Sequence, residues 1–255
     1  MDLTVLENFD VAVQYQPPLS DFTTFRLGGV CPAVLTCQTP SQLEKTVAFL
    51  RSKGLPFILI GGGSNLVISD QGLQCYVIRY VSEAPLIERQ GDELMVSGST
   101  GLDQLALYAA ENGLEGLNNT TGIPGTVGGA IVGNAGAFGK QIGDVVKTIN
   151  VIGPKGGQRT LQADELGFTY RNSNLKQSGD IVVSARLSLK PFDSAALLNE
   201  RKEILKIRYE KHPDLAVYPC AGCFFRIVEP TSQAGKRQAA GWFLVQAGAK
   251  GLEYG

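Results

Sequence analysis

Two glycine-rich stretches and one pair of cysteines are where this 255-residue chain has residue types and spacings that could do chemistry. The first is Gly61-Gly62-Gly63-Ser64-Asn65, which follows the short apolar run Phe57-Ile58-Leu59-Ile60. The run reads as a buried strand, and the glycines leave the next loop free to take positive φ and turn successive amides inward. Such a concavity, with the Ser64 hydroxyl and the Asn65 amide at its lip, suits an anion such as a pyrophosphate. In a G-x-G-x-x-G dinucleotide fold a helix would follow and lend the partial charge of its N-terminus. Here Leu66-Val67-Ile68 reads as another β-type run, closed by Ser69-Asp70-Gln71-Gly72, so the nicotinamide fingerprint fails. A plain hairpin with a glycine-rich turn accounts for this stretch equally well.

The second stretch, Thr121 to Gly139, has seven glycines among nineteen residues and almost no charge. Its core is Gly122-Ile123-Pro124-Gly125-Thr126-Val127-Gly128-Gly129, and Asn134 and Gly136 follow. A flexible linker would be polar, whereas Ile123, Val127, Ile131 and Val132 imply a backbone buried against something flat. Two such loops about sixty positions apart suggest opposite walls of a slot for a planar cofactor with a pyrophosphate tail, which flavin adenine dinucleotide fits. The cysteine pair, Cys220-Ala221-Gly222-Cys223, has the spacing of a dithiol redox centre or of half a zinc site. Zinc is disfavoured because Cys31 and Cys37 have the wrong separation for a second knuckle and Cys75 stands alone, so no metal is expected.

The elements that must position these residues follow from pattern. Ser41-Gln42-Leu43-Glu44 reads as a capping box opening a helix over 41–53, with Leu43, Val47 and Leu50 inward and Gly54 as its stop. Strand, helix, strand from Ala33 to Ile60 gives a small parallel α/β unit, with the first glycine loop at the C-terminal end of a strand. Cys75–Val81 and Leu94–Gly98 read as strands, and 102–112 as a helix stopped by Gly113. Val145–Ile152 and Gln158–Leu161 read as a hairpin, and Ile181–Leu189 as a further strand, so the second unit is mainly antiparallel. A long helix runs from Phe192-Asp193-Ser194 to about Tyr209, with Glu200, Arg201, Lys202, Glu203 and Lys206 on a solvated face. The expected division is 1–80, 81–190 and 191–255. Residues before about Asp21 read as a strand or extended arm without chemistry.

Composition excludes several classes. With 44% hydrophobic residues the chain can bury a sizeable core. A formal net charge of −1, with Lys and Arg scattered, leaves no electrostatic footprint for nucleic acid or an anionic membrane. The N-terminus lacks a basic region before an apolar core, and no run is long enough to span a bilayer, so the expected location is the cytoplasm. Five cysteines argue against a disulfide framework. The single histidine, His212, beside Pro213, reads as an exposed loop residue and removes histidine-rich metal sites. No obligate protein partner is expected.

Six pieces in order resemble one family, the UDP-N-acetylenolpyruvoylglucosamine reductases. They are Thr24-Phe25-Arg26-Leu27-Gly28-Gly29, Gly61 to Asn65, Gly122 to Ala130, Asn134 to Gly139, Tyr170-Arg171-Asn172-Ser173 and Ala221-Gly222-Cys223-Phe224-Phe225. Ala240 to Gly251 is similar to a late helix of that family. The resemblance runs from about Phe22 to the end. It implies an α+β fold in which two subdomains, one α/β and one largely antiparallel, hold FAD, with a third, smaller α/β substrate domain. It also implies reduction of an enolpyruvyl ether on a UDP-sugar with NADPH as electron donor. By resemblance, Cys223 stands where the family has its proton donor, a serine in many members, and a thiol of ordinary pKa near ~8.5 can serve as the acid. Arg171 matches the arginine that stabilises the enolate, and a permanent guanidinium suits that task. Tyr170 is assigned to the substrate with it. Lys211, twelve positions before Cys223, stands where the family can have a lysine near the substrate's diphosphate.

Without the motifs, Cys223 reads as a small buried thiol and Arg171 as a loop arginine in a surface ion pair. Two departures from the family stand out. Ile227 replaces an asparagine that contacts the nucleotide, and Val228-Glu229-Pro230 differs from the usual continuation. The family's C-terminal segment with a catalytic glutamate has no counterpart before Gly255, so turnover is expected to fall while flavin binding survives. Two rival readings stay open: a flavin-linked thiol oxidoreductase using Cys220 and Cys223, and a flavin-binding module without catalysis.

Overall fold

Two β-sheets organise the chain. The computed structural model describes residues 3–223, 225, 240–249, 251 and 252, and Phe224, Ile227 and Val228-Glu229-Pro230 lie outside them. Met1–Cys220 forms one unit and Ala221–Gly255 a second, each described by itself. The first sheet contains β1 (Ala12–Tyr15), β2 (Ala33–Cys37), β3 (Phe57–Ile60) and β4 (Tyr76–Tyr80), in the order β1-β2-β4-β3. β2 and β3 both run parallel to β4, which inserts between them, and β1 pairs antiparallel with β2. A helical turn, Thr4–Glu7, precedes β1, so the first residues are not simply an extended arm.

Helix α1 (Pro40–Ser52) joins β2 to β3. Its cap lies two residues earlier than the Ser41–Glu44 pattern suggests. Thr39 Oγ1 accepts from the Gln42 amide, Gln42 Oε1 accepts from the Thr39 amide, and Pro40 occupies a first-turn position where no N–H is needed. Leu43, Val47 and Leu50 are buried, as their spacing requires. β3 corrects the reading of a fully buried strand. It is an edge strand, and Ile58 and Leu59 are 39% and 37% exposed. Leu66-Val67-Ile68 is not a strand either. Ile68 packs with Leu19, Val34, Ile60 and Val77 on one face of the sheet, so its apolar character serves the core and not a ladder.

The second sheet is antiparallel throughout. It contains β5 (Ile87–Gln90), β6 (Glu93–Ser97), β7 (Val146–Ile152), β8 (Gln158–Gln162) and β9 (Ile181–Ser188), in the order β8-β7-β9-β6-β5. Val182, Ala185 and Leu187 of β9 face the larger core with Leu94 and Val96, helix α2 (Leu102–Glu111) and the short helix α3 (Val127–Val132). Ile181 and Val183 join the core beneath α1. A mixed sheet, an antiparallel sheet and surface helices make the fold α+β. Helix α4 (Ser194–Lys211), capped by Asp193, packs on α2. In the second unit, α5 (Ala240–Gln246) places Trp242 and Phe243 edge to face, 5.0 Å apart. Among the described residues no helix is long and apolar enough to cross a membrane.

A polar bolt joins the two sheets. Tyr80, at the end of β4 and only 2% exposed, shares a 2.8 Å hydrogen bond with Ser97 Oγ and donates to the Val183 carbonyl at 2.9 Å. The Ser99 amide donates to Ser97 Oγ at 3.3 Å, and the Ser99 hydroxyl donates to the Gln38 carbonyl at 2.6 Å. Burial pushes the Tyr80 phenol up to about 12, against the lowering effect of its serine partners. Tyr80→Phe removes both Tyr80 hydrogen bonds, while the Val183 carbonyl keeps the Gly98 amide at 2.8 Å and Ser97 keeps Ser99, and is expected to cost about 1–2 kcal/mol, or roughly 2–8 °C in melting temperature. The wild type should also lose stability as pH rises from about 10 to about 12, because only the unfolded phenol ionises there. Thermal melts of both proteins across that range would show this alkaline loss reduced in Tyr80→Phe.

Candidate functional site

The two glycine loops meet. A methyl group placed on Gly61 would lie 2.4 Å from Thr126 Oγ1, and one on Gly62 would lie 3.4 Å from Gly125 Cα. Ser64 Oγ donates to the Pro124 carbonyl at 2.9 Å, a direct tie between the loops. Gly63, at φ +67°, backs onto Phe22, where a methyl would fall 1.9 Å from the carbonyl oxygen. On the other side, the Gly128 amide donates to the Gly98 carbonyl at 2.9 Å, and Thr126 caps α3 through the Gly129 amide. Gly61 therefore packs against the Thr126 side chain and Gly63 against the Phe22 carbonyl, close approaches that a Cβ would obstruct.

Further along the second loop, Asn134 is buried. Its amide donates to the Thr169 carbonyl at 2.9 Å and its carbonyl accepts from the Gly143 amide at 3.1 Å. The Gly136 carbonyl accepts from Arg171 Nη2 at 2.8 Å. Arg171 has φ +55°, is exposed, and holds its guanidinium 5.7 Å from the Tyr170 ring. Tyr170-Arg171 is thus brought to the second glycine loop, and among the described residues Arg171 makes no ion pair. Asn65 and Pro124 are exposed at the lip and Ile123 is half-buried. Lys211 is exposed at the end of α4. Cys223, in the second unit, is exposed and not buried, and no described cysteine is in a disulfide.

The structure adds residues that the sequence pattern hid. Asp103, on α2, accepts from the Gly122 amide at 2.6 Å and from both Arg201 guanidinium nitrogens at 2.7 Å. Arg201 is 8% exposed, so this member of the expected solvated face is instead the buried link between α4 and the second loop. Burial tends to raise the Asp103 carboxyl, but Arg201, the Gly122 amide and the charges of Arg201 and Arg208 together hold it below the usual range. Arg208 lies across Gly122, with Cδ 2.7 Å from where a methyl would stand. Its Nε is buried without a hydrogen-bond partner among the described residues. Burial lowers its guanidinium, Asp103 opposes that, and the charge of Arg171 adds to it. Leu197, Arg201, Ile204 and Arg208 share one helical stripe, a spacing that could have revealed both arginines.

These residues fit a flavin dinucleotide. Among the described residues no hydrogen bond occupies the amides of Gly62, Gly63, Ser64 or Asn65, which leaves a row of neutral donors for a pyrophosphate. Asn119, 4% exposed, has neither side-chain amide atom bonded among the described residues, and its turn packs on the Gly136–Ala137 strand. Residues 31–162 match the family described as "FAD binding domain". Fold and site together define an FAD-dependent oxidoreductase.

The chain is 32% identical over 255 residues to the UDP-N-acetylenolpyruvoylglucosamine reductase of Lactobacillus acidophilus, covering 100% of this chain and 82% of that one. Its counterpart from Nostoc punctiforme is 34% identical over 257 residues, covering 100% and 74%. The crystal structure of UDP-N-acetylenolpyruvylglucosamine reductase from Thermus caldophilus matches with a TM-score of 0.78 at 32% identity, over 96% of this chain and 83% of that one. The chain belongs to the UDP-N-acetylenolpyruvoylglucosamine reductase family.

Two substitutions test the geometry. Gly61→Ala forces its new methyl against Thr126 and should lower FAD affinity at least about ten-fold, ~1.4 kcal/mol, with the far-UV spectrum unchanged. Fluorescence titration of apoprotein with FAD reads the outcome. Asp103→Asn leaves the Arg201 charge buried without its counter-ion. The expected cost is about 2–4 kcal/mol in denaturant unfolding, below the full buried-pair value because the Asp103 side chain is 42% exposed. The Asp103 contribution is present above the unfolded carboxylate pKa and is lost as pH falls through the lower folded value.

Proposed function

We propose that the chain reduces the enolpyruvyl group of UDP-N-acetylglucosamine enolpyruvate to the lactyl ether of UDP-N-acetylmuramate, with NADPH as electron donor, in peptidoglycan synthesis in the cytoplasm. The observation that carries the reading is the meeting of the two glycine loops, with Arg171 bonded to one of them, in a chain of this family. FAD, when bound, supplies the two-electron chemistry that takes hydride from NADPH and passes it to the alkene. The remaining work falls to side chains and backbone of this chain.

The amides of Gly62 to Asn65 and the glycines of the second loop hold the cofactor. Arg171 holds the substrate carboxylate, where negative charge grows as the alkene is reduced, and its permanent charge lowers the energy of that enolate. Cys223 delivers the proton to the carbon bearing the carboxylate. Tyr170 and Lys211 contact the substrate, Lys211 at the diphosphate. The division into 1–80 and 81–190 as FAD-binding subdomains is supported by the sheets, since β1–β4 lie within the first span and β5–β9 within the second. The span 191–255 is read as the substrate-binding part.

A spectrum tests this directly. Purified protein should be yellow, bleach on anaerobic NADPH, and recover its flavin bands when UDP-N-acetylglucosamine enolpyruvate is added. Cys223→Ala should bleach normally yet reoxidise roughly 10²–10⁴-fold more slowly, while Cys220→Ser stays within about two-fold of wild type. Equal damage from both cysteine variants would replace this reading with a dithiol centre. Protein that neither carries nor takes up flavin would refute it.

A further inference from the structure

The motif Thr24-Phe25-Arg26 has no part in the chemistry above, yet the structure ties it to the segment that leads into the proton donor. Asp214 organises a tight turn: its carbonyl accepts from the Val217 and Tyr218 amides at 3.0 and 2.7 Å, and its carboxylate accepts from the Ala216 amide at 2.9 Å. The next carbonyls, of Leu215, Ala216 and Val217, then project as acceptors without helical donors, as at a helix C-terminus. Arg26 gathers all three. Its Nη2 donates to Leu215 at 2.8 Å and to Ala216 at 2.7 Å, and its Nη1 donates to Val217 at 3.4 Å. Three residues on, Thr24 clamps Cys220 from both sides. Thr24 Oγ1 donates to the Cys220 carbonyl at 2.6 Å, and the Cys220 amide donates to the Thr24 carbonyl at 3.0 Å.

The clamp is itself braced. Arg26 is held at φ +57°, a conformation that L side chains rarely adopt, by a turn in which its amide donates to Thr23. The Thr23 hydroxyl donates to the Leu27 carbonyl at 3.2 Å. The Thr24 amide donates to the Gly63 carbonyl at 3.2 Å, so the clamp is continuous with the first glycine loop. The Arg26 fork matches the three carbonyls in a way that a single ammonium cannot. Cys223 follows Cys220 by three residues, so the clamp fixes the last residue of the first unit, three positions before the thiol.

We infer that Arg26 and Thr24 are positioning residues for the proton-donating thiol, holding the chain before Cys223 against the first cofactor loop. The inference rests on Cys223 being the proton donor. The anchor is hydrogen-bonded to backbone carbonyls, so its effect passes through chain position and not through the chemistry of the thiol. Loss of Arg26 should slow proton delivery and leave flavin binding and NADPH oxidation intact.

Stopped-flow spectroscopy of the flavin-loaded protein tests this in a double-mutant cycle of Arg26→Ala and Cys223→Ala. Arg26→Ala should bind FAD and bleach with NADPH within two-fold of wild type, yet reoxidise with UDP-N-acetylglucosamine enolpyruvate at least ten-fold more slowly, with the substrate concentration at half-maximal rate unchanged. In the Cys223→Ala background the same change should have no further effect. Thr24→Val, which removes a single hydrogen bond, should give a smaller loss confined to the same step, and reports on the clamp even if Arg26→Ala folds poorly. Full additivity of the two defects, or a reoxidation rate in either clamp variant equal to wild type, would overturn the inference alone. Normal reoxidation in Cys223→Ala itself would overturn the proton-donor reading, and the inference with it.

Discussion

Close packing of Gly61 against Thr126 and of Gly63 against the Phe22 carbonyl is the constraint on which this molecule depends. A methyl on Gly61 or Gly63 would fall 2.4 Å or 1.9 Å from these neighbours, so each loop must be held by groups behind it. The first loop is held from β3 and from Phe22 and Thr24. The second is held from α2 through Asp103 and from Gly98 through the Gly128 amide. Contacts of this kind tolerate little relative movement of their supports, because non-bonded contact energies change steeply over fractions of an ångström. That explains why a buried tyrosine bonds across the two sheets at the edges that carry the loops. Tyr80 ends β4, the central parallel strand, and Ser97 ends β6, one residue before Gly98.

The second loop is also secured by charge. Helix α4 is weakly apolar: of the residues along its inward stripe, Leu197 and Ile204 are buried alkyl groups, while Arg201 and Arg208 bring guanidinium groups inward. Burial of Arg201 would be strongly unfavourable alone, and Asp103 offsets it with two short parallel hydrogen bonds. The same carboxylate accepts from the Gly122 amide, so one anion fixes a helix and a loop together. Apolar packing could have joined α4 to α2 as firmly. It could not have oriented the Gly122 amide, which has no side chain through which to be packed.

Much of this was legible in the sequence, and the gaps have physical causes. The long strands, α1, α2 and α4 follow from periodicity and from Gly54 and Gly113, because the pattern of burial writes itself into the spacing of apolar residues. Both glycine loops were legible for the same reason, since backbone contact excludes every side chain. The cap at Thr39 was missed because Ser41 and Glu44 offer the same spacing, and only Pro40 at the first turn decides between them. Leu66 to Ile68 was misread because a run that is apolar for the sake of a loop's underside has the composition of a strand. Arg201 was placed in solvent because a charged residue is rarely buried without a partner, and its partner lies 98 positions away. Long-range pairings of this kind leave no local trace.

The separation of neutral from charged groups has a chemical logic under the proposed function. A cofactor that stays through many turnovers is best held by fixed amide dipoles, which cost no side-chain ordering and do not change the charge of the site. A substrate that must enter and leave as an anion is better met by charges near solvent, where screening keeps the attraction moderate and release fast. Arg171 and Lys211 are exposed, while Gly63 and Gly128 are buried and Gly61, Gly62 and Gly125 are half-buried. Arg208 stands between these regimes, its Nε buried and its charge felt by Arg171. The Asp103 carboxylate opposes that like charge, so the arginines beside the second loop already have an anion in attendance.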